Sequence, residues 1–242
     1  MNFFLLLITL WSVQNFKISN LRPRALSLRL IESCSGSINV KFVLVRHGQS
    51  TDNVTRTLSG QGPAPLTDLG RKQAMSLGQK LLEMGAKFDA VYSSDLRRAY
   101  ETTTIICYEL GIEEITFDVR LREGDAGIFT GQRVDDLTVD EKALFDSLIV
   151  DLDSKVFGGE SVNEQMKRTR DAFVEIVENH NDESVILLVG HGGTLYHILK
   201  NTLNILPDTD EWFGNCKMNI IEQNTPQGDW KLTMLDSIQL GE

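Results

Sequence analysis

Two apolar runs, Phe42-Val43-Leu44-Val45 and Val185-Ile186-Leu187-Leu188-Val189, interrupt an otherwise mixed pattern of hydrophobic and polar positions. Runs of this length without polar alternation predict strands buried on both faces, the habit of a largely parallel sheet. Between them, residues 68–84 place Leu69, Ala74, Leu77, Leu81 and Leu82 at helical spacing and stop before Gly85, a helix-ending residue. Residues 88–92 predict a short strand, and Ser93-Ser94-Asp95 predicts the start of a helix over residues 96–110. A third strand is expected over residues 115–121, then helices over residues 134–148 and 161–179. The strand at 185–189 leads into a helix over residues 192–203, and strands at 216–222 and 230–235 close the chain. Strands alternating with helices in this way predict an α/β fold.

Composition narrows the picture without changing it. A chain of 242 residues with 41% hydrophobic and 24% charged residues is ordinary globular material, enough for one main domain. The first 40 residues stand apart, with Lys17, Arg22, Arg24 and Arg29 against the single acid Glu32. The remainder then holds 20 basic and 33 acidic residues, a net charge of −13, which argues against nucleic acid as a partner. The apolar start, Phe3 to Trp11, is too short for a membrane-spanning helix and lacks the basic residues that precede a secretory signal core. Residues 21–30 are rich in Arg and Leu, as in a transit peptide, so residues 1–40 are an N-terminal extension, either targeting or unstructured, ahead of a domain at 41–242. Cytoplasmic residence is the first expectation, with mitochondrial or secretory targeting through the extension as the alternatives. Cys34, Cys107 and Cys216 form no metal-ligand or CxxC pattern and fit a reducing compartment.

The candidate chemistry lies at the ends of the two apolar runs. Each ends at a histidine followed at once by glycine, His47-Gly48 and His191-Gly192, where an open α/β sheet places its ligand crevice. A lone His-Gly pair is weak evidence, since most histidines at strand ends are structural. The neighbours strengthen it: Arg46 precedes the first histidine, Arg97-Arg98 follows another strand, and Leu121-Arg122-Glu123 ends a third. Guanidinium groups hold phosphate oxygens in fixed orientation, so the set points to a phosphate site.

These motifs run in a recognisable order. Arg46-His47-Gly48 with Asn53, Pro65-Leu66-Thr67 with Gly70, Ser93-Ser94 with Arg98, Ala99 and Thr102, Leu121-Arg122-Glu123 with Gly127 and Gly131, Gly158-Gly159-Glu160-Ser161, and His191-Gly192-Gly193 together resemble the histidine phosphatase superfamily, in its phosphoglycerate-mutase-like branch. The resemblance spans about residues 41–235 and implies a three-layer αβα sandwich with a mostly parallel central sheet. It implies that His47 is the nucleophile and carries a phosphohistidine. Arg46, Arg98 and His191 would form the cationic pocket, with His191 working best when protonated. Glu123 matches the general acid, Asn53 a phosphate-binding position, and N–H groups after Gly192 would point dipoles at the phosphate. Of the adjacent arginines, Arg98 precedes the small Ala99 as the family pattern requires, leaving Arg97 to solvent. Gln49 and Ser59 are further candidates for substrate contact, Ser161 or Glu160 for capping the next helix, and His180 and His197 for structural roles. No cofactor or metal is implied, and the expected partner is a small phosphorylated substrate, with no nucleic acid and no stable membrane insertion.

The chain also departs from the family. Only about two dozen residues lie between Gly131 and Gly158, where phosphoglycerate mutases place a longer basic insertion over the substrate. Glu123 is followed by Gly124-Asp125, where mutases and sugar-bisphosphate phosphatases carry a basic residue. Hydrolysis of a small phosphorylated metabolite, of the sugar-phosphate or phosphoglycerate type, is therefore the first reading. A Ser/Thr protein phosphatase, a phosphoglycerate mutase and a non-catalytic phosphate-binding scaffold are the alternatives.

Overall fold

The computed structural model describes residues 40–148, 150–180, 183–205, 213–223 and 230–234. Residues 1–39 of the extension, Cys34 among them, lie outside these residues. The elements are β1 (Lys41–Arg46), α1 (Thr51–Thr55), α2 (Asp68–Glu83), β2 (Ala90–Ser93), α3 (Arg97–Leu110), β3 (Thr116–Phe117), α4 (Val139–Ser147), α5 (Val162–Glu178), β4 (Val185–Gly190), α6 (Gly192–Tyr196), β5 (Met218–Gln223) and β6 (Trp230–Met234). One sheet takes the order β3-β2-β4-β1-β5-β6. The first four strands in that order are parallel, and β5 and β6 join antiparallel.

The apolar runs sit where their composition requires. Side chains alternate across a strand, and in β1 both sets are buried: Phe42 and Leu44 on one side, Val43 and Val45 on the other. Phe42 and Leu44 share a core with Ile186 and Leu188 of β4 and with Ala172, Phe173 and Ile176 of α5. Val43 and Val45 meet Ala74, Leu77 and Leu81 of α2 and Ile106 and Cys107 of α3. Helices thus cover both faces, giving the expected three layers. On α2 the buried stripe is Gly70, Ala74, Leu77, Gly78 and Leu81. Leu69 and Leu82, expected on that stripe, lie more than 40% exposed, because Gly78 brings α3 and Gly70 brings the Gln49 backbone against the other side. Cys107 and Cys216 are buried free thiols.

Three expected elements change form. Of residues 115–121 only Thr116–Phe117 pairs as a strand; Asp118 then accepts from the Arg120 N–H at 2.8 Å and turns Val119–Leu121 into a 3-10 helix. Residues 134–148 do not form one helix. Val134–Asp136 is a 3-10 turn, and α4 starts afresh from Thr138, whose hydroxyl and Glu141 partner form a reciprocal cap. The helix expected to Leu203 is α-helical to Tyr196 and widens to a π-helix over His197–Thr202. The short α1, capped by Ser50 with Asn53, has no apolar stripe and left no periodicity to read. Among the described residues no helix is long and apolar enough to cross a membrane.

Candidate active site

The strand order assembles the site. β1 and β4 pair in parallel with Arg46 opposite Gly190, so the next residue on each strand is a histidine. The His47 N–H donates to Gly190 O at 3.0 Å, and the rings of His47 and His191 stand 5.2 Å apart between centroids. β2 lies on the far side of β4 and delivers Ser94, whose Oγ is 2.8 Å from His191 Nε2. β3 pairs beyond β2, and the 3-10 turn after it brings Glu123 back over the same strand ends. Glu123 therefore follows a turn and not a strand.

His47 is 3% exposed and its Nδ1 lies 2.7 Å from Gly48 O. A carbonyl can only accept, so Nδ1 carries the proton and Nε2 keeps its lone pair. The carbonyl of His47 accepts from Asn215 Nδ2 at 2.9 Å, and the same amide reaches Asn53 Oδ1 at 3.1 Å. Asn53 also accepts from the Ser50 N–H at 3.0 Å, so it is joined to the His47 loop through α1 and Asn215.

Arg46 and Arg98 are both buried. Arg46 donates to Phe213 O at 2.5 Å. Arg98 donates to Gly60 O at 2.8 Å and Gly62 O at 3.1 Å, so the polar loop holds its fork. Ser59 belongs to that loop, and its carbonyl accepts from the Gly62 N–H. Arg97 points to solvent and pairs with Glu101 at 2.7 Å. Gln49 Oε1 is bonded to Thr67 Oγ1 at 2.9 Å, which ties it to the start of α2.

Burial lowers the Arg46 guanidinium to about 10, with Arg98 adding to the shift and Glu123 opposing it. Burial also lowers Arg98, which Glu123 and Asp52 oppose. Both histidines are held well below their usual range, chiefly by burial and then by the arginine charges. This direction favours a neutral His191 ring. A phosphate dianion would offset the arginine charges that add to this shift and favour the protonated ring. His191 Nδ1 is buried with no hydrogen-bond partner among the described residues. Ser94 Oγ already accepts from the Leu96 N–H, so its proton is available to His191 Nε2 and leaves Nδ1 as the donor.

Glu123 accepts three hydrogen bonds: Oε1 from Gln165 Nε2 at 3.0 Å and the Gly124 N–H at 3.1 Å, and Oε2 from the Gly193 N–H at 3.1 Å. The N–H expected to face phosphate after Gly192 is thus engaged with Glu123 in part. Its backbone is fixed by Arg168, which donates to Arg120 O, Arg122 O and Glu123 O and pairs with Glu160. Glu160 therefore holds Arg168, while Ser161, reciprocated by Glu164, provides the cap of α5. Arg122 pairs with Asp95 and reaches Gln61 Oε1 at 3.4 Å. Ser94, Gln165, Arg168 and Asn215 join the site without being among the residues the sequence singles out for it; only Ser94 carries a signal, as part of a helix start. Among the described residues no three His, Cys, Asp or Glu side chains converge as a metal site.

The family model of the histidine phosphatase superfamily, branch 1, matches residues 42–236. The chain belongs to this superfamily. A "probable phosphoglycerate mutase GpmB" from Salmonella paratyphi A is 36% identical over 192 residues, covering 78% of this chain and 87% of that protein. Among solved structures, the mycobacterial glucosyl-3-phosphoglycerate phosphatase superposes with a TM-score of 0.68 at 26% identity, covering 82% of this chain and 99% of the other. YhfR from Bacillus stearothermophilus gives 0.70 at 26% identity, covering 83% and 98%. The histidine phosphatase described here thus has both a mutase-named relative and phosphatase structures beside it.

Proposed function

We propose that this histidine phosphatase hydrolyses a phosphate monoester of a small metabolite through a phosphohistidine on His47. The observation that carries the reading is His47 itself, with Nδ1 tied to Gly48 O and Nε2 left as a nucleophile among Arg46, Arg98 and His191. Nε2 attacks phosphorus as the bond to the leaving oxygen breaks, and charge on the equatorial oxygens is met by the two guanidinium groups and His191 Nδ1–H. Glu123 in its acid form gives its proton to the leaving oxygen, then as carboxylate takes one from the water that attacks the phosphohistidine. Inorganic phosphate leaves and the starting protonation is restored. Asn53 lies one amide from the nucleophile loop and would orient a phosphoryl oxygen. Gln49 and Ser59, each tied into a bordering loop, would meet the rest of the substrate.

Hydrolysis is favoured over mutase transfer by the segment that follows Gly131 beside the Arg98 loop. Residues 132–157 hold three basic residues, Arg133, Lys142 and Lys155, against seven acids. The segment folds on its own cluster of Phe129, Phe145 and Phe157 and is stitched to the Arg98 loop through Leu58. Its excess of negative charge would repel a phosphoglycerate that must stay bound between two transfers, and with no basic clasp over it the phosphoenzyme is left open to water.

The test is phosphate release by the full chain from a panel of sugar phosphates, phosphoglycerates and phosphopeptides, with and without a bisphosphate primer. Turnover of one small ester without primer supports the reading. Activity confined to phosphopeptides, or strict dependence on primer with isomerisation in place of release, overturns it.

A further inference from the structure

The three donors on Glu123 are unevenly shared. Oε1 receives two N–H groups, from Gln165 and Gly124, and a carboxylate oxygen has two in-plane lone pairs. Oε2 receives one, from Gly193, and keeps one lone pair open. Gln165 is 3% exposed on the buried face of α5, so its amide has no solvent to turn to. The space it occupies is made by two glycines. A Cβ on Gly124 would overlap Gln165 Oε1, and one on Gly193 would overlap Glu123 Oε1 and stand 3.2 Å from Gln165 Nε2.

We infer that Gln165 is a positioning residue for the general acid: by filling Oε1 of Glu123 from the space left by Gly124, it makes Oε2 the one oxygen that carries the catalytic proton. The inference rests on the general-acid assignment of Glu123. With Oε1 saturated, the proton sits on Oε2 and passes to the leaving oxygen as the phosphorus–oxygen bond breaks. Without the amide, either oxygen can hold the proton and the carboxyl can rotate about its last bond, so the fraction of productive orientations drops. Gln165 touches neither phosphate nor nucleophile, and the phosphate pocket is left as it was.

Gln165→Met tests this, because methionine has nearly the same length, fills the buried space and donates nothing. Its kcat on an alkyl phosphate should fall about tenfold, the lower range for a hydrogen bond to a charged group. Its kcat on a phenolic phosphate, whose leaving group needs little protonation, should fall less than threefold or so. Inhibition by inorganic phosphate should keep its midpoint. Equal losses on both esters, or weakened phosphate inhibition, would overturn the inference and make Gln165 a packing residue. Glu123→Gln is measured alongside: if it too lacks the leaving-group dependence, the general-acid reading fails; if it shows that dependence and Gln165→Met does not, only the role of Gln165 fails. Should Gln165→Met fold poorly, Gly124→Ala displaces the same amide from the other side and must give the same leaving-group split.

Discussion

Arg168 holds together the segment that carries Glu123, and removing it should cost both stability and rate. Its guanidinium donates to Arg120 O at 2.6 Å, Arg122 O at 2.7 Å and Glu123 O at 2.9 Å, and it pairs with Glu160 at 2.5 Å. The two side chains of the pair are 18% and 14% exposed, so water recovers only part of what is lost. Breaking a buried pair by removing one partner costs about 3–5 kcal/mol, and the remaining exposure places Arg168→Ala near the lower end, about 3 kcal/mol. With a urea dependence of about 2 kcal/mol per molar, the unfolding midpoint should drop by about 1.5 M. Arg168→Lys should fall between, because one ammonium can meet Glu160 but cannot fork to three carbonyls. On the alkyl ester kcat should fall by at least about tenfold under folding conditions, since Glu123 would lose its backbone anchor. Urea titration with kcat on the same preparations makes the test. A midpoint within about 0.3 M of the parent would refute the energetic argument, and an unchanged kcat would refute the positional one.

Gly193→Ala should lower kcat far more than the unfolding midpoint, because its Cβ would overlap Glu123 Oε1 and push the carboxylate off the Gly193 N–H, while its other close neighbour is only the end of the Gln165 side chain; equal thermal and kinetic losses would contradict this. Stability should fall as pH drops below neutrality. Burial lowers His197 from 6.5 to about 4, with Arg168 adding and Glu123 opposing, so between those values the unfolded chain binds more protons than the folded one. The stability is whole above about 6.5 and, for this group alone, smaller by about 3 kcal/mol at pH 4. His197→Phe should flatten the slope of midpoint against pH over that window, and an unchanged slope would count against the assignment. Activity should survive EDTA, as no step above uses a metal; loss restored by a divalent ion would show otherwise.

The parts of the site written in contiguous residues were readable from the sequence, and the parts made by the fold were not. The runs at 42–45 and 185–189 gave two buried strands, and their pairing put Arg46 opposite Gly190 and hence His47 beside His191. Arg98 was distinguishable from Arg97 by the small residue after it, and it is the buried one. By contrast, Gln165 and Arg168 sit on α5, forty residues from Glu123, on a helix whose polar positions look like any solvated face. Asn215 lies after a stretch with no periodicity and reaches His47 only because β5 pairs with β1. Residues 115–121 read as a strand because Ile115, Phe117, Val119 and Leu121 alternate, yet Asp118 binds the backbone two residues on and turns the chain. The π-helix after α6 left no trace in residue pattern, since its residues also satisfy α spacing.

The phosphoenzyme is the measurement that bears most directly on the account. Full-length protein is mixed with labelled substrate, quenched within a turnover, digested, and the labelled peptide identified. Label on His47 that is stable to alkali and lost in acid, absent from His47→Ala, is the predicted result. Turnover by His47→Ala, or label confined to any other residue, would contradict the phosphohistidine mechanism.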